Sequence, residues 1–315
     1  MIKKIENNNK IIISHIADID GMGSIILANK FYNNKIDYIL GDINDLPELF
    51  TTFDFSNYET IYLCDLPLIP SAIAILNKRV DITNKLQHFD HHLSYDKEIP
   101  PYVNVVSELN NRKTCGTELF YNYLLTLNNS LNNAFYKTFV EATREQDTWD
   151  FKEESFNAKL LASTHDLIGP TAYIELILSL DDQEEFQIPK VFSDLYKFDL
   201  ERQQLYIDYI NKNLLVTEYN NYKIGVTIAE QYRSIVGAEI CKKRPELDFV
   251  MILNFSRNTV SLRSAKESVD LNQISSEFHP DGGGHKSAAG FVIDSKSIPK
   301  IKKYHQMYLE NIKNN

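Results

Sequence analysis

Lys85-Leu86-Gln87-His88-Phe89-Asp90-His91-His92 is the stretch that decides the reading: an apolar segment ends in a carboxylate followed by two imidazoles. Two runs upstream end in the same manner. Ile11-Ile12-Ile13 leads into His15-Ile16-Ala17-Asp18-Ile19-Asp20-Gly21, and Ile61-Tyr62-Leu63-Cys64 leads into Asp65. Short apolar runs of this length read as buried strands. Three such strands, each ending in metal-type ligands, would set those ligands along one rim of one sheet. That is how a chain assembles a polynuclear metal site from distant segments, and it points to phosphate chemistry.

Around these runs the sequence alternates strand and helix patterns. Residues 10–15, 36–41, 59–64 and 85–90 read as strands, and 22–33 and 69–78 as helices. The alternation predicts an α/β fold with a parallel sheet covered by helices. In open sheets of this kind ligands bind at the carboxyl ends of the strands, where His15, Asp18, Asp20, Asp65, Asp90, His91 and His92 all fall. From about 115 to 185 the pattern turns helical, with Leu119, Tyr123 and Leu127 four apart. A periodic segment over 134–146 ends at Glu145-Gln146-Asp147-Thr148-Trp149. Residues 191–215, with Val191, Leu195, Phe198, Leu205, Ile207 and Ile210, predict a connecting helix. Strand patterns return at 223–228, 249–255 and 259–263, so a smaller α/β unit over 216–315 is expected. The expected division is therefore 1–190, a linker helix over 191–215, and 216–315.

Composition narrows the function classes. The chain of 315 residues carries a formal net charge of −10. Binding long duplex nucleic acid needs a broad surface of Lys and Arg, so any nucleic-acid substrate is expected to be short or held in a local basic pocket. No segment approaches the roughly 20 apolar residues of a membrane span. Cys64, Cys115 and Cys241 are odd in number and form no Cys-x-x-Cys pair, which reads as reduced thiols in a cytoplasmic protein.

The acid clusters can be weighed one by one. His15, Asp18 and Asp20 lie on a strand-to-helix turn where Gly21 and Gly23 permit close approach of backbone to a ligand. Imidazole with carboxylates suits Mn²⁺-like cations; the plainer reading makes both acids helix N-caps. A buried Asp65 needs a partner or a metal, because a lone buried charge is costly. In Asp90-His91-His92, adjacent rings point apart, so one can ligate while the other touches substrate. Asp147, by spacing alone, reads as a surface acid or a cap. Gly282-Gly283-Gly284, followed by His285 and Lys286, offers backbone N–H groups for an anion-binding concavity. Arg263 offers a planar fork for a phosphate.

Taken together, these motifs resemble the DHH phosphoesterases that carry a DHH-associated C-terminal domain and, within them, the bacterial nano-RNases of the oligoribonuclease branch. The resemblance spans nearly the whole chain: His15, Asp18 and Asp20 match the first motif, Asp65 the second, Asp90-His91-His92 the third, Asp147 the fourth, and Gly282 to His285 the terminal signature. It implies that 1–190 is the catalytic domain and 216–315 the substrate-binding domain. It further implies that His15, Asp18 and Asp65 hold one Mn²⁺, and that Asp20, Asp65, His91 and Asp147 hold a second, with Mg²⁺ or other divalent cations as alternatives. His92 would contact the scissile phosphate, with Asp90 supporting His91. Arg263, Gly283, Gly284 and His285 would hold a terminal phosphate or nucleotide.

The function so implied is two-metal hydrolysis of short single-stranded oligonucleotides to 5′-mononucleotides, with cations about 3.5–4 Å apart. Alternatives within the same chemistry are cleavage of 3′-phosphoadenosine 5′-phosphate, of linear dinucleotides, or of pyrophosphate. A nucleotide sensor with a degenerate site would lack a ligand, yet every acid position is filled. A dinucleotide-dependent oxidoreductase is set aside, since no Gly-x-Gly-x-x-Gly follows the first strand. Association as a homodimer is left open.

Overall fold

A computed structural model describes the chain apart from residues 93–99, 153–155, 181–184, 281 and 315. It divides into two units, Met1–Tyr196 and Lys197–Asn315.

The first unit is built on a five-stranded sheet of β1 (Ile2–Lys4), β2 (Lys10–His15), β3 (Asp37–Gly41), β4 (Thr60–Cys64) and β5 (Leu86–Phe89), in the order β1-β3-β2-β4-β5. Strands β3, β2, β4 and β5 are parallel, and β1 pairs antiparallel with β3 on the edge. The side-chain period of two explains why these strands read as continuous apolar runs. Ile12, Tyr38, Leu40, Tyr62, Cys64 and Phe89 face one core. Ile11, Ile13, Ile39, Ile61, Leu63 and Leu86 face the other. Both faces are covered, as parallel sheets require.

The helices are α1 (Ile19–Phe31), α2 (Leu46–Thr52), α3 (Pro70–Leu76), α4 (Val80–Thr83), α5 (Gly116–Leu127), α6 (Ala134–Thr148) and α7 (Phe156–Ser179). Helices α1, α5, α6 and α7 cover the Tyr62 face, and α2, α3 and α4 cover the Ile13 face. The chain therefore leaves β2 toward one face and β4 toward the other. Those two strands are neighbours, so a crevice opens between their carboxyl ends, where open α/β sheets bind ligands. Helix α7 is interrupted at Gly169, whose φ is +78°, just before Pro170. Proline suits the first turn of the segment that follows and cannot continue the one before. A short hairpin, β6 (Glu108–Leu109) with β7 (Arg112–Lys113), precedes α5.

Helix α8 (Lys190–Lys212) crosses the division between the units. The second unit holds β8 (Leu215–Tyr219), β9 (Tyr222–Ile228), α9 (Arg233–Lys243), β10 (Phe249–Asn254), β11 (Thr259–Arg263), α10 (Leu271–Phe278), β12 (Gly283–His285), β13 (Ala288–Val292) and α11 (Ile298–Asn314). Its sheet order is β12-β13-β11-β10-β9-β8, with only β9 and β10 parallel. Helix α9 makes that crossover. Its Val236 and Ile240 bury one sheet face together with Ile207 and Ile210 of α8. Residues of α10 and α11 cover the other.

One expectation is corrected here. The glycine run is an edge strand rather than an open loop: Gly283, Gly284 and His285 pair with Gly290, Ala289 and Ala288. The Gly282 amide donates to the His279 carbonyl and the Gly284 amide to Asn272 Oδ1. Two of the three amides expected to face an anion are thus used by the protein itself. Residue 281, which opens the run, lies outside the described residues.

Candidate metal centre

The carboxyl ends of β2, β4 and β5 bring the predicted ligands of the first unit together. His15 is the last residue of β2, and its Nδ1 lies 3.1 Å from Asp18 Oδ2 and 3.6 Å from Asp65 Oδ2. Asp18 caps α1, with Oδ1 accepting from the Gly21 amide. The capping and ligand readings of Asp18 are therefore compatible, since the cap uses one oxygen and leaves the other facing His15. The same ring and amide hold the Asp18 carboxyl down at about 2, against the effect of its burial. Gly21 and Gly23 make room, but for the chain's own groups: a Cβ there would lie 2.0 Å from the His15 carbonyl oxygen or 2.4 Å from Thr117 Oγ1.

Asp65 follows β4 directly and sits in the left-handed region at φ +52°. Its amide donates to the Phe89 carbonyl, which ties it to the end of β5. The carboxylate is 2% exposed and points between two groups of ligands. His91 Nε2 stands 3.4 Å from Asp65 Oδ1, 3.4 Å from Asp147 Oδ2 and 3.9 Å from Asp20 Oδ2. Burial, and then the charge of Asp20, push both Asp65 and Asp147 well above the usual carboxylate range. Burial lowers the His15 ring, but Asp18 and Asp65 raise it to about 11, so it offsets part of this negative charge.

This arrangement fits divalent cations. His15, Asp18 and Asp65 form one group whose ligand atoms lie within 4.8 Å of one another, and Asp20, His91 and Asp147 form a second. A third grouping joins Asp65 and His91 with His92. Asp65 Oδ2, His91 Nε2 and Asp147 Oδ2 are buried without a hydrogen-bond partner. A buried polar atom left unpaired costs about 1–3 kcal/mol, and three in one crevice, Asp65 Oδ2 on the His15 side and the other two on the Asp20 side, are explained by cations that the two groups would hold. The donors, carboxylates with two imidazoles, suit Mn²⁺ or Mg²⁺ rather than a thiolate-bound metal.

Asp90 departs from expectation. It supports His92 and not His91: His92 Nδ1 is 2.7 Å from Asp90 Oδ1. Nor do the adjacent rings point apart: the His91 and His92 centroids lie 4.2 Å from each other, and both rings share one ligand group with Asp65. Burial opposes a charged His92, but the Asp90 bond outweighs it and raises the ring above its ordinary range. The same bond keeps Asp90 low despite its burial. Nε2, on the opposite edge of the half-exposed ring, stays available.

The sequence-predicted residues of the second unit sit on two strands of its sheet. Arg263 ends β11, its guanidinium donating to the Leu262 carbonyl at 2.8 Å and to Ser234 Oγ at 3.1 Å. Among the described residues no carboxylate pairs with it. His285 is exposed at the edge of the sheet, beside Gly283 and Gly284 of the same strand.

With the geometry in view, the chain can be compared with known proteins. No family model matches it. It is 26% identical over 294 residues to oligoribonuclease NrnB of Bacillus subtilis (strain 168), a match covering 88% of this chain and 71% of that protein. The chain is thus similar to an oligoribonuclease over most of its length. Solved structures share its fold at lower identity. A DHH domain described as belonging to a family of ribosomal proteins has a TM-score of 0.64 at 15% identity, covering 98% of this chain and 87% of its own. Exonuclease RecJ bound to manganese has a TM-score of 0.61 at 16% identity, covering 96% and 90%.

One part of this centre escaped the sequence reading. Asp20 is fixed from the far side by the first turn of α5. Its Oδ2 accepts from the Gly116 amide and its Oδ1 from the Thr117 amide, each at 2.7 Å, while Thr117 Oγ1 donates to the Asp20 carbonyl at 2.6 Å. A helix N-terminus favours a carboxylate through its free amides and its dipole. Gly116 has no alternative, because a Cβ there would meet the Asp65 Cβ at 2.8 Å. Thr117→Val removes the hydroxyl and keeps the shape. It is expected to weaken cation binding about 10-fold, as loss of an outer partner of a ligand does, with little change in unfolding midpoint. Calorimetric titration with Mn²⁺ checks this; an unchanged affinity would show that the two amides alone hold Asp20.

Proposed function

We propose that this chain is a divalent-cation-dependent phosphodiesterase that hydrolyses short oligonucleotides to 5′-mononucleotides, with Mn²⁺ as the working cation. The observation that carries the reading is Asp65, a buried carboxylate shared by two groups of ligands and left with an unpaired oxygen. The kinship to an oligoribonuclease supports the substrate class. The net charge of −10 fits a short substrate better than a long one.

His15, Asp18 and Asp65 would hold one cation, and Asp20, Asp65, His91 and Asp147 the other. When bound, such a pair supplies a water of lowered pKa and neutralises charge on the phosphoryl oxygens. The chain's own groups do the rest. Asp90 fixes the His92 ring so that Nε2 donates to a phosphoryl oxygen as charge builds there. The first turn of α5 keeps Asp20 oriented before any ion arrives, so that no reorganisation is needed. Arg263 and His285 would hold the far end of the substrate by charge-assisted hydrogen bonds.

Labelled RNAs of two to ten nucleotides, with Mn²⁺, test the reading. Release of 5′-mononucleotides, fastest from the shortest chains, is expected. Turnover confined to pyrophosphate or to 3′-phosphoadenosine 5′-phosphate would contradict it.

The acid cluster also sets a pH dependence. Asp65 and Asp147 have folded pKa values raised above their unfolded ones. Without cations, stability is therefore lost as pH rises from the unfolded carboxylate range toward the folded values. Cations bind the ionised forms, so protons compete with them. The gain in melting temperature on adding Mn²⁺ is expected to be larger at pH 8 than at pH 5.5, by scanning fluorimetry. An equal gain at both would separate cation binding from these carboxylates.

A further inference from the structure

This acidic chain pairs most of its arginines. Arg79, Arg112, Arg144, Arg202 and Arg244 each lie within ion-pairing distance of a carboxylate. Arg233, Arg257 and Arg263 are the remaining three, and among the described residues none of them has such a partner. All three belong to the second unit, along the border of α9 and β11. Thr259, Ser261 and Arg263 share one face of β11, while Val260 and Leu262 enter the core on the other. The Arg263 stem passes Gly237 of α9, where a Cβ would lie 2.4 Å from its Cγ, and its guanidinium donates to Ser234 Oγ at 3.1 Å. Arg233, next to Ser234, reaches back to Thr259 Oγ1 at 3.2 Å. Arg257 stands two residues before Thr259, in the exposed turn between β10 and β11.

Each of these charges is felt by the next. Burial, and then Arg257, lower Arg233 from its ordinary value; burial, and then Arg233, do the same to Arg263. Glu230 pulls Arg233 the other way, but its oxygens accept from the Phe255 and Ser256 amides and from the Ser256 hydroxyl. Like charges held together in a partly buried place repel one another, and an anion between them relieves this. A guanidinium has five N–H donors. The described residues take two from Arg263, one from Arg233 and none from Arg257. The rest suit phosphoryl oxygens, which a guanidinium fork meets in pairs. The proposed function gives Arg263 one phosphate. We propose that Arg233 and Arg257 form a second phosphate site beside it, so that this unit holds two successive phosphates of one oligonucleotide strand. The border from Thr259 to Arg263 is about 13 Å long at roughly 3.3 Å per residue, which suits phosphates parted by a sugar better than the fused pair of pyrophosphate. The choice of an oligonucleotide rests on the proposed function; the existence of the second site does not.

Calorimetric titration of the full chain, stripped of metal so that nothing is cleaved, tests the site with two RNA dinucleotides. One carries a 5′-phosphate and so offers two phosphates; the other lacks it and offers one. The first is expected to bind about 10-fold more tightly, the worth of a charge-assisted hydrogen bond. Arg257→Gln and Arg233→Gln should each remove that preference and leave the affinity for the second dinucleotide within about twofold. Each should also flatten the slope of log affinity against log salt for the first by about 0.7, one phosphate contact on a single strand. Arg257 is exposed in its turn, so its variant should keep its fold by circular dichroism. Lys242→Gln, an equal loss of charge at the other end of α9, should change none of these values. Equal binding of the two dinucleotides by the parent, a preference that survives both arginine variants, or the same loss in Lys242→Gln would overturn the site. Pyrophosphate binding as tightly as the phosphorylated dinucleotide, and weakened alike by Arg257→Gln, would overturn the strand as its occupant. Nothing is turned over in this titration, so its outcome is independent of whether the chain cleaves RNA, which the labelled RNAs test separately.

Discussion

Asp65→Asn is expected to leave a folded chain that does not hold a pair of cations and turns over the proposed substrate on the order of 10³-fold more slowly than the parent, or worse, as loss of a group that stabilises transition-state charge does. Asparagine is the informative replacement. Residue 65 sits at φ +52°, where asparagine is far more at home than alanine, so the turn out of β4 survives. The amide to Phe89 that ties the turn to β5 belongs to the backbone and survives too. What goes is the charge, and with it an oxygen facing each ligand group, Oδ2 toward His15 and Oδ1 toward His91. Removing a buried acid that crowds Asp20 and Asp18 also relieves repulsion. The cation-free variant should therefore melt no lower than the parent, even as activity vanishes. Loss of activity accompanied by unfolding would assign Asp65 a structural role instead.

Arg144→Met has the largest expected effect on stability. The Arg144 side chain is fully buried in α6 and fully engaged. It pairs with both oxygens of Glu141, donates to Asp150 Oδ2 at 3.0 Å, and reaches the Lys113 carbonyl at 3.2 Å. Methionine matches its length without its donors. Glu141 and Asp150 are a third to a half exposed, so water takes over part of their demand and their ion pairs are discounted. The Lys113 carbonyl and the poorer packing remain, which puts the loss at about 2–4 kcal/mol. Denaturant unfolding checks it, with a lower midpoint at unchanged slope expected. Arg144 also lies one turn before Asp147, so the variant should bind the cation shared by Asp20, His91 and Asp147 less tightly than the other. A midpoint within about 0.5 kcal/mol of the parent, the range of an ordinary surface change, would remove Arg144 from this account.

Arg144 was invisible in the sequence for a reason that applies to the whole centre. Strands ending in acids could be read from periodicity, because each pattern is local. The run Ile11-Ile12-Ile13 and the run Ile61-Tyr62-Leu63-Cys64 both announce strands buried on two faces, and β2 and β4 are such strands. Parallel pairing then puts His15, Asp65 and Asp90 on one rim without further instruction. Asp147 had no such signal, since its place depends on how α6 packs. The hold on Asp20 comes from Gly116 and Thr117, 96 and 97 positions away, and no spacing rule reaches that far. The glycine run was misread because three glycines suit an open loop and an edge strand equally. Only the pairing with Ala288, Ala289 and Gly290 separates the two. Asp90 went to the wrong histidine because adjacency in the sequence does not say which of two neighbouring rings, 4.2 Å apart, turns its Nδ1 to the carboxylate.

The central claim is that carboxylates and imidazoles from four separate segments hold two cations joined by Asp65. Mn²⁺ titrated into the metal-stripped chain, followed by electron paramagnetic resonance, tests it most directly. The expected result is two ions per chain whose signals broaden and couple as the second enters, with the coupling lost in Asp65→Asn. A single ion per chain, or two ions that never couple and ignore Asp65→Asn, would contradict it.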